Sequence, residues 1–245
     1  MLFFSKKYFI ADMLEGLIDM HCHVLPNIDD GAKDPEMSVE MLKQYTELGY
    51  IGLIATPHIM KGFYDNTADG ITEAFDMFSS NIKRKSFGDF SISVAAEYMM
   101  DSGFDILISK KELLPINHNK VLVEMSYLQP SLRPFEQLFE LRQHGFEPIL
   151  AHPERYLYLT DVSRVLAFKK KGCSLQLNLL SLGGHYGKQA TQQAISLLKD
   201  GHYDYVGTDA HHPGHFSVLK RIELPKKTMP FFEALIMKTK ENLDN

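Results

Sequence analysis

Short apolar runs alternate along the chain with stretches of helical periodicity. Runs of β type fall near residues 17–22, 51–56, 91–97, 120–125, 147–151, 173–178 and 204–208. Between them the apolar positions take helical spacing. Met37, Met41, Tyr45 and Leu48 fall on one face of the first helix, and Phe135, Leu138 and Phe139 on one face of the fourth. Gly49, Gly145, Gly172 and Gly201 each stand between a helix and the next strand, where a left-handed residue ends a helix well. A repeated β-then-α order implies parallel strands joined by right-handed crossovers. Seven such units predict an α/β fold, a distorted TIM-like (β/α)7 barrel. The competing open, doubly wound sheet is disfavoured because no G-x-G-x-x-G or P-loop opens any unit.

No linker-like, repetitive or low-complexity tract divides the chain. Residues 17–245 are therefore expected to form one barrel domain, with 1–16 as an N-terminal extension. That extension, MLFFSKKYFIADMLEG, has apolar residues around Lys6 and Lys7. It reads as a short element docked on the barrel, or secondarily as a membrane-surface contact. It lacks the longer apolar run and small-residue cleavage site of a secretory signal. Nothing approaches the ~18 apolar residues of a membrane span.

Composition narrows the picture. Apolar residues make up 44% of the 245, ample for a core, and the net charge is −5. That sign offers no general attraction to nucleic acid, which disfavours a nuclease. Cys22 and Cys173 form no CxxC pair and sit in no C-x5-R loop. They read as reduced, buried thiols of a cytoplasmic protein, and a thiol-based phosphatase is disfavoured.

The chemistry lies at the ends of the apolar runs. His21 and His23 end LIDMHCH, His58 ends IGLIATPH, His152 ends EPILAH, and His211 ends DYVGTDAH. Acids hold the same place elsewhere: Glu97 in ISVAAEY, Glu124 in VLVEMS, and Asp209 beside His211. Two histidines two residues apart on a strand face the same side. His58 or His152 alone would suit a satisfied buried histidine. Together, imidazoles and carboxylates at so many buried strand ends would be costly without a cation. A mixed His/carboxylate set suits zinc, manganese or iron better than calcium, and the lack of Cys ligands argues against a structural zinc. Asp29 and Asp30 lie in the loop after the first strand, either as ligands or as turn residues ahead of Gly31. Asp34 should cap the following helix, with Pro35 at its first position. Arg155 should project over the same face, forked onto a phosphate or paired with Glu154 or an Asp.

The segments IDMHCHVLPNIDDGAKD, ATPH, AAEY, LVEMS, ILAHPERY, QLNLLSLGGHYGK and GTDAHH together resemble the PHP (polymerase and histidinol phosphatase) superfamily. The nearer likeness is to its bacterial CpsB/CapC-type tyrosine phosphatases of capsule and exopolysaccharide systems, over about residues 17–212. The resemblance implies a PHP fold with three divalent metal ions, manganese first and iron or zinc as alternatives, at the C-terminal strand ends. It implies that His21, His23, Glu97 and Asp209 hold one ion. Glu97 would bridge to a second held by Glu124 and His152, and Asp30, rather than Asp29, would join His58 and His211 on the third. It implies a phosphotyrosine protein as substrate, the tail of a membrane-associated tyrosine kinase, and a cytoplasmic enzyme peripheral to the inner membrane through that kinase.

Closely spaced ions suit phosphomonoester hydrolysis by activated water. The chain departs from many relatives in reading HHPGHF where they carry an Arg, so His212 or His215 is expected to take that role, with His215 as a candidate general acid. It also has Ile59 where some relatives have a second histidine. Lys61, Tyr64, Tyr186 and His212 are expected at the substrate rim. The alternatives are a small-molecule phosphatase of the histidinol-phosphate kind and a non-catalytic, metal-stabilised scaffold for a membrane kinase.

Overall fold

The computed structural model describes residues 8–82, 87–159 and 161–244. Residues 1–7, with Lys6 and Lys7 of the expected extension, lie outside that range. Nine strand segments are present: β1 (Ile18–Cys22), β2 (Gly52–Ala55), β3 (His58–Ile59), β4 (Ser91–Val94), β5 (Glu97–Met99), β6 (Lys120–Glu124), β7 (Glu147–Ala151), β8 (Ser174–Asn178) and β9 (Tyr205–Gly207). All their pairings are parallel. The helices are α1 (Pro35–Glu47), α2 (Ala68–Ile82), α3 (Ser102–Lys110), α4 (Pro134–Gln143), α5 (Val162–Lys170), α6 (Gly187–Lys199), α7 (Pro213–Leu219) and α8 (Met229–Asp244).

The strands fall into sheets ordered β1-β2-β4 and β3-β5-β6-β7-β8-β9. The division is local. Pro57, which has no N–H to give, separates β2 from β3, and β4 and β5 break alongside. Across the break Ala95 N–H donates to Ala55 O and Glu97 N–H to Pro57 O. The segments thus occupy seven strand positions, as expected. Beyond β9 the bonding returns to β1: Asp209 N–H donates to His21 O at 2.8 Å and His23 N–H to Ala210 O at 2.9 Å. A TIM-like arrangement is the result, with the C-terminal strand ends gathered on one side.

That return is fixed from within by Asp19, a buried carboxylate on β1. It accepts from the Tyr45 hydroxyl of α1 at 2.6 Å, from Thr208 N–H at 2.9 Å, and from the Thr208 hydroxyl. One acid therefore ties the first strand, the last strand and the first helix.

The helices follow local rules. The Asp34 side chain accepts from Met37 N–H at 2.7 Å and Pro35 opens α1. Met41, Tyr45 and Leu48 are buried and Met37 packs against the core. The four helix-ending glycines have φ of 80°, 87°, 80° and 68°. In α4 the expected face is only partly right. Leu138 and Leu141 are buried and Phe135 packs on the core, but Phe139 is 62% exposed. One residue beyond Leu138 the helix has turned ~100°, which carries Phe139 off the buried stripe. Residues 8–14 dock beside the chain near 222–224: Leu224 N–H donates to Tyr8 O, Ile10 N–H to Ile222 O, and Ile10 and Leu14 are buried. Cys22 and Cys173 are both free and buried. Among the described residues no helix is long and apolar enough to cross a membrane.

Replacing Asp19 with Ala removes the acceptor of three buried donors. The unfolding free energy should fall by about 2–4 kcal/mol. Urea unfolding of Asp19→Ala checks this, and an unchanged midpoint would contradict it.

Candidate metal centre

The strand ends bring all nine expected ligand residues into one cluster. His21 and His23 emerge from β1 with no exposed surface, and His58 opens β3 in register with Glu97 of β5. Glu124 ends β6, His152 follows β7, and Asp209 and His211 follow β9. Their donor atoms form three groups, each within 4.8 Å: His23, Asp30, His58 and His211; His21, Glu97, His152 and Asp209; and His58, Glu97 and Glu124. Glu97 belongs to two groups, as a bridging acid would.

The grouping differs from the expected one. His23 falls with Asp30, His58 and His211, although its Nε2 is also 3.3 Å from Asp209 Oδ1. Glu124 faces His58 Nδ1 at 2.9 Å, while His152 Nε2 faces Glu97 Oε1 at 3.2 Å. Asp30 is the outermost member, with its side chain 54% exposed and its Oδ1 3.5 Å from His58 Nε2.

The donor chemistry suits cations. His21 offers Nδ1 to Gln176 Oε1 at 3.1 Å, His23 offers Nδ1 to Asp29 Oδ2 at 2.7 Å, and His211 offers Nδ1 to Asp209 O at 2.9 Å. With each Nδ1 engaged outward, each Nε2 faces inward and offers a lone pair once its proton is displaced. The Nε2 atoms of His21 and His23 then face each other at 3.3 Å. A proton or a cation between them suits that spacing. Glu97 Oε2, Glu124 Oε1 and His58 Nδ1 are buried without a well-formed hydrogen bond. Such atoms, crowded together at the ends of buried strands, match metal ligands better than a hydrogen-bonded core.

The supporting residues were largely invisible in the sequence. Asp29 makes the turn bond to Gly31 N–H, as turn chemistry predicts, but also holds His23 and accepts from His58 N–H. Gln176 and Asn178 point inward from β8: Gln176 orients His21, and Asn178 donates to Asp209 Oδ2 at 2.8 Å and to the Tyr186 hydroxyl at 3.1 Å. The signal was present as two amides alternating with leucines in LQLNL. Glu154 does not pair with Arg155. It is buried and accepts from Asn178 N–H, the Ser181 hydroxyl and the Tyr203 hydroxyl. His152 and Asp209 both adopt left-handed backbone, with φ of 35° and 51°.

Arg155 pairs with Asp209 rather than with Glu154. Its guanidinium binds Asp209 Oδ2 at 2.5 Å and lies between the rings of Tyr186, 3.9 Å away, and Tyr127, 4.4 Å away. Sequence reasoning missed Tyr127. His215 departs from its expected role as general acid. Its Nδ1 accepts from His211 N–H at 3.2 Å, and burial among His212, His211 and His185 pushes the ring down to about 3. A ring so placed carries no second proton to give near neutrality, and it steadies the backbone of His211 instead. His212 is exposed beside it, with ring centroids 3.9 Å apart. Tyr64 stacks on His58 at 5.5 Å, and the exposed Lys61 lies at the outer edge of that loop.

A family model for capsular polysaccharide synthesis proteins, CpsB/CapC, matches residues 17–218. The chain belongs to the CpsB/CapC family. Within it, the tyrosine-protein phosphatase YwqE of Bacillus subtilis is 32% identical over 199 residues, covering 80% of this chain and 78% of YwqE. A solved structure of YwqE from Bacillus subtilis and CpsB from Streptococcus pneumoniae, described as unique metal-dependent tyrosine phosphatases, superposes with a TM-score of 0.77. It shares 27% identity over 93% of each chain. Histidinol phosphate phosphatase from Lactococcus lactis shares the fold, with a TM-score of 0.53 and 14% identity over 91% of this chain and 93% of that one.

In this CpsB/CapC chain the buried acids and imidazoles set one another's charge. Burial opposes ionisation of Glu97, yet the charges of His21 and His58 hold it well below the usual carboxylate range. Glu124 is pushed the other way, by burial and then by Glu97. Burial pulls His58 down, but Glu124 and Glu97 outweigh it and lift the ring to about 9. A cation taking His58 as a ligand must therefore displace its proton at any pH below about 9. Affinity for Mn2+ should weaken as pH falls through 8 and 7, by about ten-fold per unit for one displaced proton. Calorimetry in two buffers of different ionisation enthalpy measures the protons released. No release at pH 7 would contradict the reading.

Proposed function

We propose that this chain is a metal-dependent protein-tyrosine phosphatase. The observation that carries it is the set of three overlapping donor groups joined through Glu97 and His58, lying beside a guanidinium held between two aromatic rings. His21, His23, Asp30, His58, Glu97, Glu124, His152, Asp209 and His211 would hold three divalent ions, manganese foremost. Such ions, when bound, lower the pKa of water and neutralise charge on phosphate oxygens.

The remaining work falls to the chain. Arg155 presents a fork of N–H donors that matches two phosphate oxygens, and stacking between Tyr127 and Tyr186 keeps the fork in plane. Asp29, Gln176 and the Asp209 carbonyl fix the ring orientations of His23, His21 and His211, so no reorganisation is needed as charge develops. Asn178 and Arg155 both hold Asp209 Oδ2, leaving Oδ1 toward His21 and His23. The leaving group also suits the site. A tyrosine phenolate has a conjugate acid of pKa ~10, so its departure asks little of a general acid. His212, exposed at the start of α7, is the ring available to return a proton from solvent.

The named activities of YwqE and CpsB support the reading, and the family's description, capsular polysaccharide synthesis, supports a role in capsule or exopolysaccharide systems. The substrate would be the phosphotyrosine tail of a membrane-associated kinase, met at the cytoplasmic face of the inner membrane.

Purified protein loaded with Mn2+ should release phosphate from phosphotyrosine peptides far faster than from phosphoserine peptides, and a chelator should abolish the release. Equal rates on both peptides, or chelator-insensitive release, would sink the proposal. His152→Ala and Asp209→Ala should each lower kcat/KM by about 100-fold or more. A scaffold would keep its cellular effect in both variants. Arg155→Lys loses the fork while keeping charge, and should cost about 10–100-fold, chiefly in kcat/KM.

A further inference from the structure

A cleft opens beside the metal centre, between α3 and the loop that follows β3. Ile59, Tyr64, Tyr98, Phe104, Ile106 and Leu107 line it, and its volume is about 170 Å³. Its lining is mostly apolar and well ordered by packing: Tyr98 and Phe104 are buried and stacked on each other at 5.3 Å. Ile106 stands at the mouth, 49% exposed. The nearby acids are already engaged. Asp101 accepts from Gly103, Phe104 and Lys61 N–H groups, and Asp65 from Gly62 N–H. The stem of Lys61 lies against Gly103, where an added Cβ would come within 3.1 Å of Lys61 Cβ, and so forms part of the wall. Asn66 in the lining is likewise engaged, donating to Ile28 O and His58 O, so apolar surface is the larger part of what the cleft offers beside the Lys61 ammonium.

Size and position identify the occupant. An engineered cavity of ~150 Å³ holds one benzene, whereas sites for drug-sized ligands begin near ~300 Å³. The cleft therefore suits a single aliphatic or aromatic side chain. It also adjoins the metal centre. Tyr64 lines the cleft and stacks on His58, and Ile59 is the next residue along the same strand. Tyr64 thus belongs both to the wall of the cleft and to the edge of the metal centre.

We propose that the cleft is a specificity subsite that receives one apolar side chain flanking the phosphotyrosine of the substrate. This rests on the tyrosine phosphatase reading above. Burial of such a side chain should favour peptides with Leu or Phe at one flanking position over those with Gly or Asp there by about ten-fold in kcat/KM.

The test is a set of phosphotyrosine peptides varied one position at a time on each side of the phosphotyrosine. It is run with the metal-loaded wild-type protein and with Ile106→Glu, which sets a charge at the mouth. Binding of the matching non-hydrolysable phosphonate peptides is measured in parallel. One flanking position should show the apolar preference in both rate and binding, and Ile106→Glu should erase it. The ratio of peptide to p-nitrophenyl phosphate kcat/KM should fall about ten-fold in that variant. Leu107→Ala, which enlarges the cleft, should shift the preference toward larger side chains. A flat profile at every position, with p-nitrophenyl phosphate still hydrolysed, would overturn the subsite and leave the phosphatase reading intact. Absence of hydrolysis with both substrate types would overturn both. A concentration-dependent dimer lost in Ile106→Glu, with peptide preference unchanged, would assign the cleft to self-association and overturn the subsite.

Discussion

Taking a carboxylate out of water costs several kcal/mol unless charge or hydrogen bonds replace the lost hydration. Glu97 has no exposed surface, and one of its oxygens is 3.1 Å from both His21 Nε2 and His58 Nδ1. Glu124 and Asp209 are buried almost as completely. The imidazoles beside these acids are part of the answer, and cations shared among the donor groups complete it. Every other arrangement at this end of the molecule serves that balance. Arg155 brings positive charge to Asp209, Asn178 shares the same oxygen, and Gln176 and Asp29 turn two rings so that their lone pairs face inward.

The barrel is what makes such crowding possible. Candidate ligands arrive on β1, β3, β5 and β6 and just beyond β7 and β9, positions separated by long stretches of sequence. Only a sheet that turns back on itself brings those ends within a few ångströms. The bonds from Asp209 and Ala210 to the end of β1 complete the turn, and Asp19 pins it one layer below His21. The same segment, residues 208–211, thus both fastens the fold and carries two of the candidate ligands.

Much of this was legible beforehand because buried parallel strands read as plain apolar runs, and a charged residue ending such a run stands out. His58, Glu97 and His152 were found that way. What was hidden depends on side-chain direction. Two inward amides of β8 looked like interruptions in a leucine run. Asp29 looked like a turn residue because it is one, and its second oxygen does the other work. The pairing of donors into groups was not readable either. His23 and Glu124 each reach across the cluster, and sequence spacing says nothing about which neighbour an imidazole will face. His215 shows the converse: a histidine near the site by position, spent on a backbone N–H. Phe139 failed for a simpler reason, because the apolar stripe of α4 runs through Leu138 and Leu141.

His152 and Asp209 hold left-handed backbone that costs a non-glycine residue roughly 1–2 kcal/mol. Both turn the chain sharply at the point where it leaves a strand, which aims the side chain back over the barrel mouth. Glycine would relax either turn and carry no ligand. At these two corners backbone ease and the placement of a donor atom therefore pull in opposite directions.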